Sequence, residues 1–310
     1  MAIFIIKKFI IFLILLLGIS FFAFLLLSAL PGNPATSLIG QHSLPDDLIR
    51  INKALGADKS FISQYMGYLK LLLHGELGRS YYTNRAVRDD ILQKFPNTLT
   101  LALWAICLAG TTGTILGLIA GIHKDTIVDK IINIVSLTGL SVPVFWSGLL
   151  LMLFFSFKLR ILPPSGTGGI HFIVLPALTL TLPAMAGIVR ITRASVLEIM
   201  GMPFMTVLTA KGLSRFRIYM IHLLKNVMIP LITIIALDFG SYLNGAVLTE
   251  TIFGWDGIGR YAMEGILKRD YPVVLACVLV GTVVFVAVNT IVDILYKLID
   301  PRIRIYKDNV

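Results

Sequence analysis

The sequence predicts an all-α integral membrane protein: six transmembrane helices, with a small helical segment outside the membrane between the first two. Three observations carry this reading. Of 310 residues, 56% are hydrophobic and 14% charged, and the mean hydropathy is +0.86; a soluble domain carries about 25% charged residues. The apolar residues gather into uncharged runs, and crossing a bilayer takes roughly 20 of them. The positive charge is distributed unevenly about those runs. The net charge of +10 therefore reads as loop charge of a membrane protein and not as a nucleic-acid surface.

The first run, Phe9–Leu30, follows Lys7 and Lys8 and holds 22 residues without a charge. A signal peptide has a shorter apolar region of about 7–15 residues and a small-residue cleavage site, so the run reads as an uncleaved first span. Four more uncharged runs follow: Leu99–Gly121, Ile131–Phe157, Phe172–Val189 and Val273–Val292. Val227–Thr249 makes a sixth span, interrupted by Asp238. Six spans place both termini on one side. With the N-terminus inside, the inner segments hold fourteen Lys and Arg, and the two short outer loops hold five. Residues 31–98 hold eight more, but long segments are largely exempt from the rule that inner loops are positive. The expected division is thus residues 1–30 as N-terminus and first span, 31–98 as an extracellular helical segment, 99–298 as a five-helix core with an inner loop at 190–226, and 299–310 as an inner tail.

Within 31–98, Pro45 with Asp46 and Asp47 suits a helix start and Gly56 a stop. Ser60 caps a second helix with Phe61, Tyr65, Leu69 and Leu72 on one stripe, ending near Gly75. A third helix covers Ala86–Phe95. Pro143, Pro176 and Pro183 fall in the third and fourth spans, where membrane helices tolerate proline if neighbours or water satisfy the freed carbonyls. Such kinks suit either a translocation path or simple bundle packing. Cys107 and Cys277 each lie in an apolar run and read as small core residues.

Met202–Pro230 is a basic, amphipathic interruption. It predicts two short helices joined at Gly212. Pro203 suits a first helical position, with Phe204, Val207 and Leu208 on one face. Lys211 sits in the last turn, and Gly212 can go left-handed. Ser214 caps the next helix, whose expected stripe is Phe216, Tyr219, Met220, Leu223 and Leu224.

Catalytic signatures are absent. There is no G-x-x-x-x-G-K-S/T stretch to cradle nucleotide phosphates, no H-E-x-x-H and no G-x-S-x-G. His42, His74 and Glu76 are too few and too far apart for a metal site, and Asp238 is the single carboxylate deep in a span. The chain is expected to be no enzyme and to bind no cofactor itself. If it does work, the energy comes from elsewhere.

Thr209-Ala210-Lys211-Gly212-Leu213, followed by His222, Asn226 and Pro230, resembles the coupling loop of bacterial ABC-importer permeases, and more narrowly of the dipeptide/oligopeptide/nickel permease family. Leu30-Pro31-Gly32-Asn33-Pro34, His74-Gly75-Glu76-Leu77-Gly78-Arg79-Ser80, Ile161-Leu162-Pro163-Pro164-Ser165-Gly166 and Leu175-Pro176-Ala177 resemble the same family. So do Glu250-Thr251-Ile252-Phe253-Gly254-Trp255, Gly257-Ile258-Gly259-Arg260, Arg269-Asp270-Tyr271-Pro272 and the tail Asp300-Pro301-Arg302-Ile303-Arg304. The resemblance spans essentially the whole chain in order. Two positions depart from it: Thr206-Val207-Leu208 stands where the broad importer pattern has Glu-Ala-Ala, and Asp256 where proline is common.

The resemblance implies a type I ABC importer permease fold in the bacterial inner membrane, with both termini cytoplasmic. It implies a sister permease as heterodimer partner, two cytoplasmic ATPase subunits carrying ATP and Mg, and an extracellular substrate-binding protein. Phe204, Met205, Val207, Leu208, Ala210, Lys211 and Gly212 are then the expected ATPase-coupling residues; the other reading is an interfacial helix lying on anionic lipid. Asp238, with Asn244 and Glu250, is a candidate for the translocation pathway. Asp238 is the twelfth residue of its 23-residue span, roughly 17 Å from either end, and intramembrane carboxylates usually face a bundle interior or water. It either attracts a cationic substrate or serves as a structural carboxylate. The substrate is expected to be a peptide or nickel, free or chelated. Gly168-Gly169-Ile170-His171, Gly259-Arg260-Tyr261-Ala262 and Arg269-Asp270-Tyr271-Pro272 lean toward the nickel type. The alternatives are a self-sufficient channel or secondary transporter for a small cationic solute, which would show repeats or several broken helices, and a membrane scaffold.

Overall fold

The computed structural model describes residues 2–29, 59–243 and 246–299, with only the backbone described for 2–9 and 293–299. The helix expected at Pro45–Gly56 and residue Asn244 lie outside the described residues. Among the described residues the fold is helical throughout, apart from one isolated bridge between Arg79 and Ala86.

The helices in order are α1 (Ala2–Ala29), α2 (Phe61–Leu73), α3 (Val87–Ile122), α4 (Ile127–Ser141), α5 (Val144–Lys158), α6 (Ile170–Met200), α7 (Pro203–Ala210), α8 (Arg215–Leu243), α9 (Val247–Ile252), α10 (Ile258–Lys268) and α11 (Tyr271–Ile299). Five of them, α1, α3, α6, α8 and α11, are long and apolar enough to cross a membrane. The bent pair α4–α5 makes the sixth span when counted as one.

Three elements differ from the sequence expectation. The third outer helix and the second span are a single 36-residue helix, α3, which runs through Pro96. Proline ended the helix in the sequence reading, but membrane helices absorb the missing bond. The third span, expected to run unbroken, is bent by 103° between α4 and α5. Val142 is extended (φ −82°, ψ 126°), as the residue before a proline prefers, and α5 restarts after Pro143. α6 by contrast stays one helix through Pro176 and Pro183. Finally, the fifth span begins at Arg215 and ends at Leu243, with α9 a separate short helix.

The chain divides into two compact units, Met1–Thr98 with Asp256–Val286 and Leu99–Trp255 with Ala287–Val310. In the first, one apolar cluster joins Phe24 and Leu27 of α1, Tyr65 and Tyr68 of α2, and Val274, Leu275 and Leu279 of α11. A second joins Val87, Ile91, Ile258, Val273, Ala276 and Cys277. In the second unit α6 is the hub: α4, α5, α8 and α9 all pack on it.

α3 meets α6 through small residues. Gly113, Gly117 and Gly121 recur every four residues, which puts them on one face. A Cβ at Gly117 would stand 2.4 Å from the Thr192 Cβ and 2.8 Å from the Val189 carbonyl oxygen; one at Gly121 would stand 2.5 Å from Val196 Cγ1. Ala105 and Ala109 extend the stripe and are fully buried. Small residues at this spacing let membrane helices approach closely, where packing takes the place of the hydrophobic effect as the driving force. The sequence reading missed the stripe, although its Gly-x-x-x-Gly-x-x-x-Gly spacing is plain in the sequence.

Candidate functional site

α6 and α8 are joined by the eight-residue helix α7 and a tight turn. Pro203 opens α7, where its missing N–H removes nothing. The Lys211 N–H donates to the Val207 carbonyl and the Gly212 N–H to the Thr209 carbonyl, both at 3.0 Å, closing the last turn. Gly212 then reverses the chain at φ +72°, a conformation that costs an L-residue roughly 1–2 kcal/mol. The Ser214 hydroxyl accepts from the Arg217 N–H and starts α8.

The apolar residues of α7 face two ways. Met205 is buried and belongs to a cluster with Ala109, Ala184, Ile188, Val196, Ile199, Ile218, Leu223, Val227 and Leu231, against which Leu208 packs. Phe204 and Val207 are exposed, as are Ala210, Lys211 and Gly212. The seven expected coupling residues therefore separate into two that bind α7 to its own bundle and five that are turned outward.

The stripe expected on α8 is also displaced. Phe216 is 74% and Met220 46% exposed, while Ile218, Leu223, Val227 and Leu231 are buried. The cause is a π turn over Ile218–Leu223, where the Leu224 N–H reaches back to the Tyr219 carbonyl. A bond of that span spaces the inward residues by five before the ordinary four resumes. Periodicity counted at 3.6 residues per turn includes the buried Leu223 and the partly buried Tyr219, but wrongly adds Phe216 and Met220 and leaves out Ile218. The π turn leaves Phe216, Met220 and Ile221 exposed among Arg215, Arg217 and Lys225.

Near this turn, Asp129 at the start of α4 holds Arg193 near the end of α6. Arg193 Nε donates to Asp129 Oδ1 at 2.6 Å and Nη2 to Oδ2 at 2.8 Å. Asn133 Nδ2 donates to Oδ1 at 2.6 Å, and the Asp125 N–H donates to Oδ2 at 3.0 Å. The carboxylate side chain is 3% exposed. Paired bidentate bonds of this kind fix direction as well as distance. Sequence reading gave Asp129 and Arg193 no role, because they are 64 residues apart.

Asp238 lies on α8 and is half-buried. Its carboxylate has no hydrogen-bond or ion-pair partner among the described residues. One turn on, the Tyr242 hydroxyl donates to the Leu180 carbonyl of α6 at 2.7 Å. α8 is described as far as Leu243, and Ala246 already stands outside it as the N-cap of α9, so Asp238 lies nearer one end of its span than in the sequence reading, which put it mid-span. Glu250 on α9 is fully buried, and α9 packs on α5 and α6. Asn244 is outside the described residues. Among the described residues no group of three or more His, Cys, Asp or Glu side chains could hold a metal ion.

The short motifs noted in the sequence come together in pairs. The Gly166 N–H donates to the Phe253 carbonyl at 2.9 Å, and the Trp255 N–H to the Glu250 carbonyl at 2.8 Å. In the other unit the Ser80 hydroxyl donates to Asp270 Oδ2 at 2.5 Å and the Tyr81 N–H to Oδ1 at 3.1 Å. Burial, with the Asp270 carboxylate nearby, pushes the Tyr81 phenol up to about 12. A Cβ at Gly78 would stand 3.3 Å from Pro272 Cβ. Asp256, which departs from the family pattern, is tied by an ion pair to Lys94, and its carbonyl accepts from Asn97 Nδ2 at 2.7 Å.

Five helices and a bent pair long and apolar enough to cross a membrane, with a short helix between two of them that turns an apolar face outward, define a multi-span membrane protein. The chain belongs to the family described as binding-protein-dependent transport system inner membrane component, which matches residues 113–305, and its companion N-terminal family matches residues 1–102. It is 37% identical to the di/tripeptide transport system permease protein of Pseudomonas aeruginosa, over 93% of this chain and 94% of the relative. It is 33% identical to the dipeptide transport system permease protein of Escherichia coli, again over 93% and 94%. It is 34% identical to a glutathione transport system permease protein of Escherichia coli, over 92% and 94%. Its fold resembles a chain of the inward-facing MetNI methionine ABC transporter, with a TM-score of 0.56 at 16% identity, over 68% of this chain and 96% of that one. The protein is thus an ABC permease of the dipeptide/oligopeptide importer family, the membrane subunit that forms a translocation pathway while ATP is hydrolysed on partner subunits.

Proposed function

We propose that this chain imports short peptides as one of two sister permeases in a bacterial inner membrane, with both termini and the α7–α8 turn in the cytoplasm. An extracellular binding protein delivers the peptide, and two ATPase subunits drive the pair through α7. The observation that carries this reading is the two-sided α7: Met205 and Leu208 bind it to the spans, and Phe204 and Val207 are left outward. An outward apolar face on a short, rigid helix suits insertion into a groove of another protein. Because α6 enters α7 and α8 leaves it, displacement of α7 moves two spans as rigid bodies.

The preference for peptides over nickel rests on the relatives, whose names specify di- and tripeptides, dipeptides and glutathione. The cytoplasmic placement of the turn rests on the charge asymmetry of the loops. Asp238 lines the pathway in this account, and its unpartnered carboxylate attracts the protonated amine of a peptide.

The test is a pair of variants in the reconstituted complex. Val207→Asp adds a charge to the outward face and is expected to lower peptide-stimulated ATP hydrolysis at least tenfold while the permease still folds. Met205→Ala is expected to lower thermal stability and leave the ratio of transport to hydrolysis unchanged. If Val207→Asp transports peptide at the wild-type rate, α7 is not the coupling element.

A further inference from the structure

We propose that α2 does not stand above the membrane as part of an extracellular cap but lies in the outer leaflet, docked on α1 and α11, with lipid acyl chains covering its flank at Ile62, Met66 and Leu73.

The depth of α2 is set by hydrogen bonds. The Tyr65 hydroxyl lies 3.2 Å from the Leu17 carbonyl, to which it donates, and 3.0 Å from the Ser20 hydroxyl. Leu17 and Ser20 lie inside the 20-residue apolar span Ile10–Ala29. At 1.5 Å per residue they are about 18 Å and about 14 Å of helix below Ala29. Tyr65 therefore sits where span one has only apolar surroundings. The aromatic rings agree: Phe61 is edge-on to Phe21 and Phe24 at 5.9 and 5.3 Å, and Tyr68 stacks on Phe24 at 6.3 Å. On the other side, α2 packs against Val274, Leu275 and Leu279 of α11, all inside that helix's apolar span, Tyr271–Val292.

One flank of α2 is apolar as well. Ile62, Met66 and Leu73 are 67%, 59% and 86% exposed, and their spacing puts them on one side of the helix. The face opposite Tyr65 and Tyr68 carries Ser63, Gly67, Lys70 and His74, all exposed, so α2 is amphipathic, and an amphipathic helix with an exposed apolar flank suits the membrane interface. Phe22 and Leu26 of α1 are apolar and exposed too. Further polar groups stand at the ends: Lys59 and Ser60 before α2, and Glu76 after it. Lys70 is exposed, and its long stem can carry the charge up to the headgroups. Thirteen residues give about 20 Å of helix, too short to span, so α2 lies at the interface with its apolar flanks buried.

The test measures what touches α2 in the intact transporter in nanodiscs. Nitroxide labels are placed at Ile62→Cys, Met66→Cys and Leu73→Cys, with Arg85→Cys as a water-exposed reference, all in a Cys107→Ala, Cys277→Ala background. Collision with oxygen is expected to exceed collision with a water-soluble nickel chelate several-fold at positions 62 and 66, and the reverse is expected at 85. Nickel-chelate access at 62 and 66 equal to that at 85 overturns the proposal. Exclusion of both reagents also overturns it, since it would mean that protein covers the face. The unmodified protein gives a second readout: a phospholipid with a diazirine in its acyl chain should label the tryptic peptide that contains Phe61–Lys70. Absence of adducts there, with adducts present on α1, contradicts lipid contact.

Discussion

At the scale of single residues, direction decides role. Met205 and Val207 are both apolar, two positions apart on the same short helix, yet one is buried and the other outward. Composition could nominate both, but eight residues give too little pattern to say which apolar face meets its own bundle. Asp238 was legible as a lone charge in a span, but its depth was not, because the uncharged run continues to Thr249 past the break at Ala246. Asp238→Asn keeps shape and removes charge; the account expects intact assembly and peptide uptake reduced about tenfold or more, read as initial rates in proteoliposomes. Equal rates across pH would remove Asp238 from the pathway. Asp129 and Arg193 make a different case, invisible in sequence and explicit in geometry. Arg193→Ala strands a carboxylate that is 3% exposed. The expected loss is about 3 kcal/mol, the lower end for a broken buried pair, because the guanidinium is one-quarter exposed. Replacing both partners, Asp129→Leu with Arg193→Met, should recover part of that loss in a thermal-unfolding measurement in detergent.

At the scale of elements, the spans were legible from hydrophobicity and the caps from local chemistry. Pro203, Gly212 and Ser214 take the positions their backbone and hydrogen-bonding properties suit. What periodicity could not supply was irregular hydrogen bonding. The π turn at Ile218–Leu223 shifts the buried stripe, and the break at Pro143 turns one run into two helices. Proline alone does not announce which outcome follows: α3 and α6 pass through Pro96, Pro176 and Pro183, while Pro143 separates α4 from α5. Tertiary packing arbitrates, and the α3–α6 contact shows how. Gly117→Ala places a methyl against Thr192 Cβ and the Val189 carbonyl, and one of those neighbours is backbone that cannot rotate away. Destabilisation of about 1–3 kcal/mol is expected from such overpacking, measured by thermal unfolding in detergent. Gly18→Ala, with nothing within 4 Å of the added carbon, should leave the midpoint unchanged. Equal midpoints for the two variants would refute the close approach.

At the scale of the molecule, the lack of any nucleotide-binding or catalytic group and the presence of α7 belong to one explanation. In the proposed function the chain supplies a path, and α7 is the lever through which the energy enters. The cluster from Ala109 through Met205 to Leu231 binds α7 to α3, α6 and α8, and the Asp129–Arg193 pair adds α4. Whole-chain resemblance made this architecture readable before any coordinates, because many short motifs agreed in order. The physical reason for several of those motifs appears only in three dimensions, where Ser80 meets Asp270 and Gly166 meets Phe253. The substrate is the least legible property of this chain, since its own residues offer one carboxylate and no metal-binding group among those described. The central claim is that a push on α7 reaches the spans through the Gly212 turn. The most direct measurement is peptide uptake and ATP hydrolysis by Gly212→Pro in the same proteoliposomes, since proline cannot adopt the positive φ at that position. The account predicts an inserted, assembled complex whose hydrolysis no longer responds to peptide and whose uptake is lost. Wild-type uptake coupled to peptide-stimulated hydrolysis would contradict it.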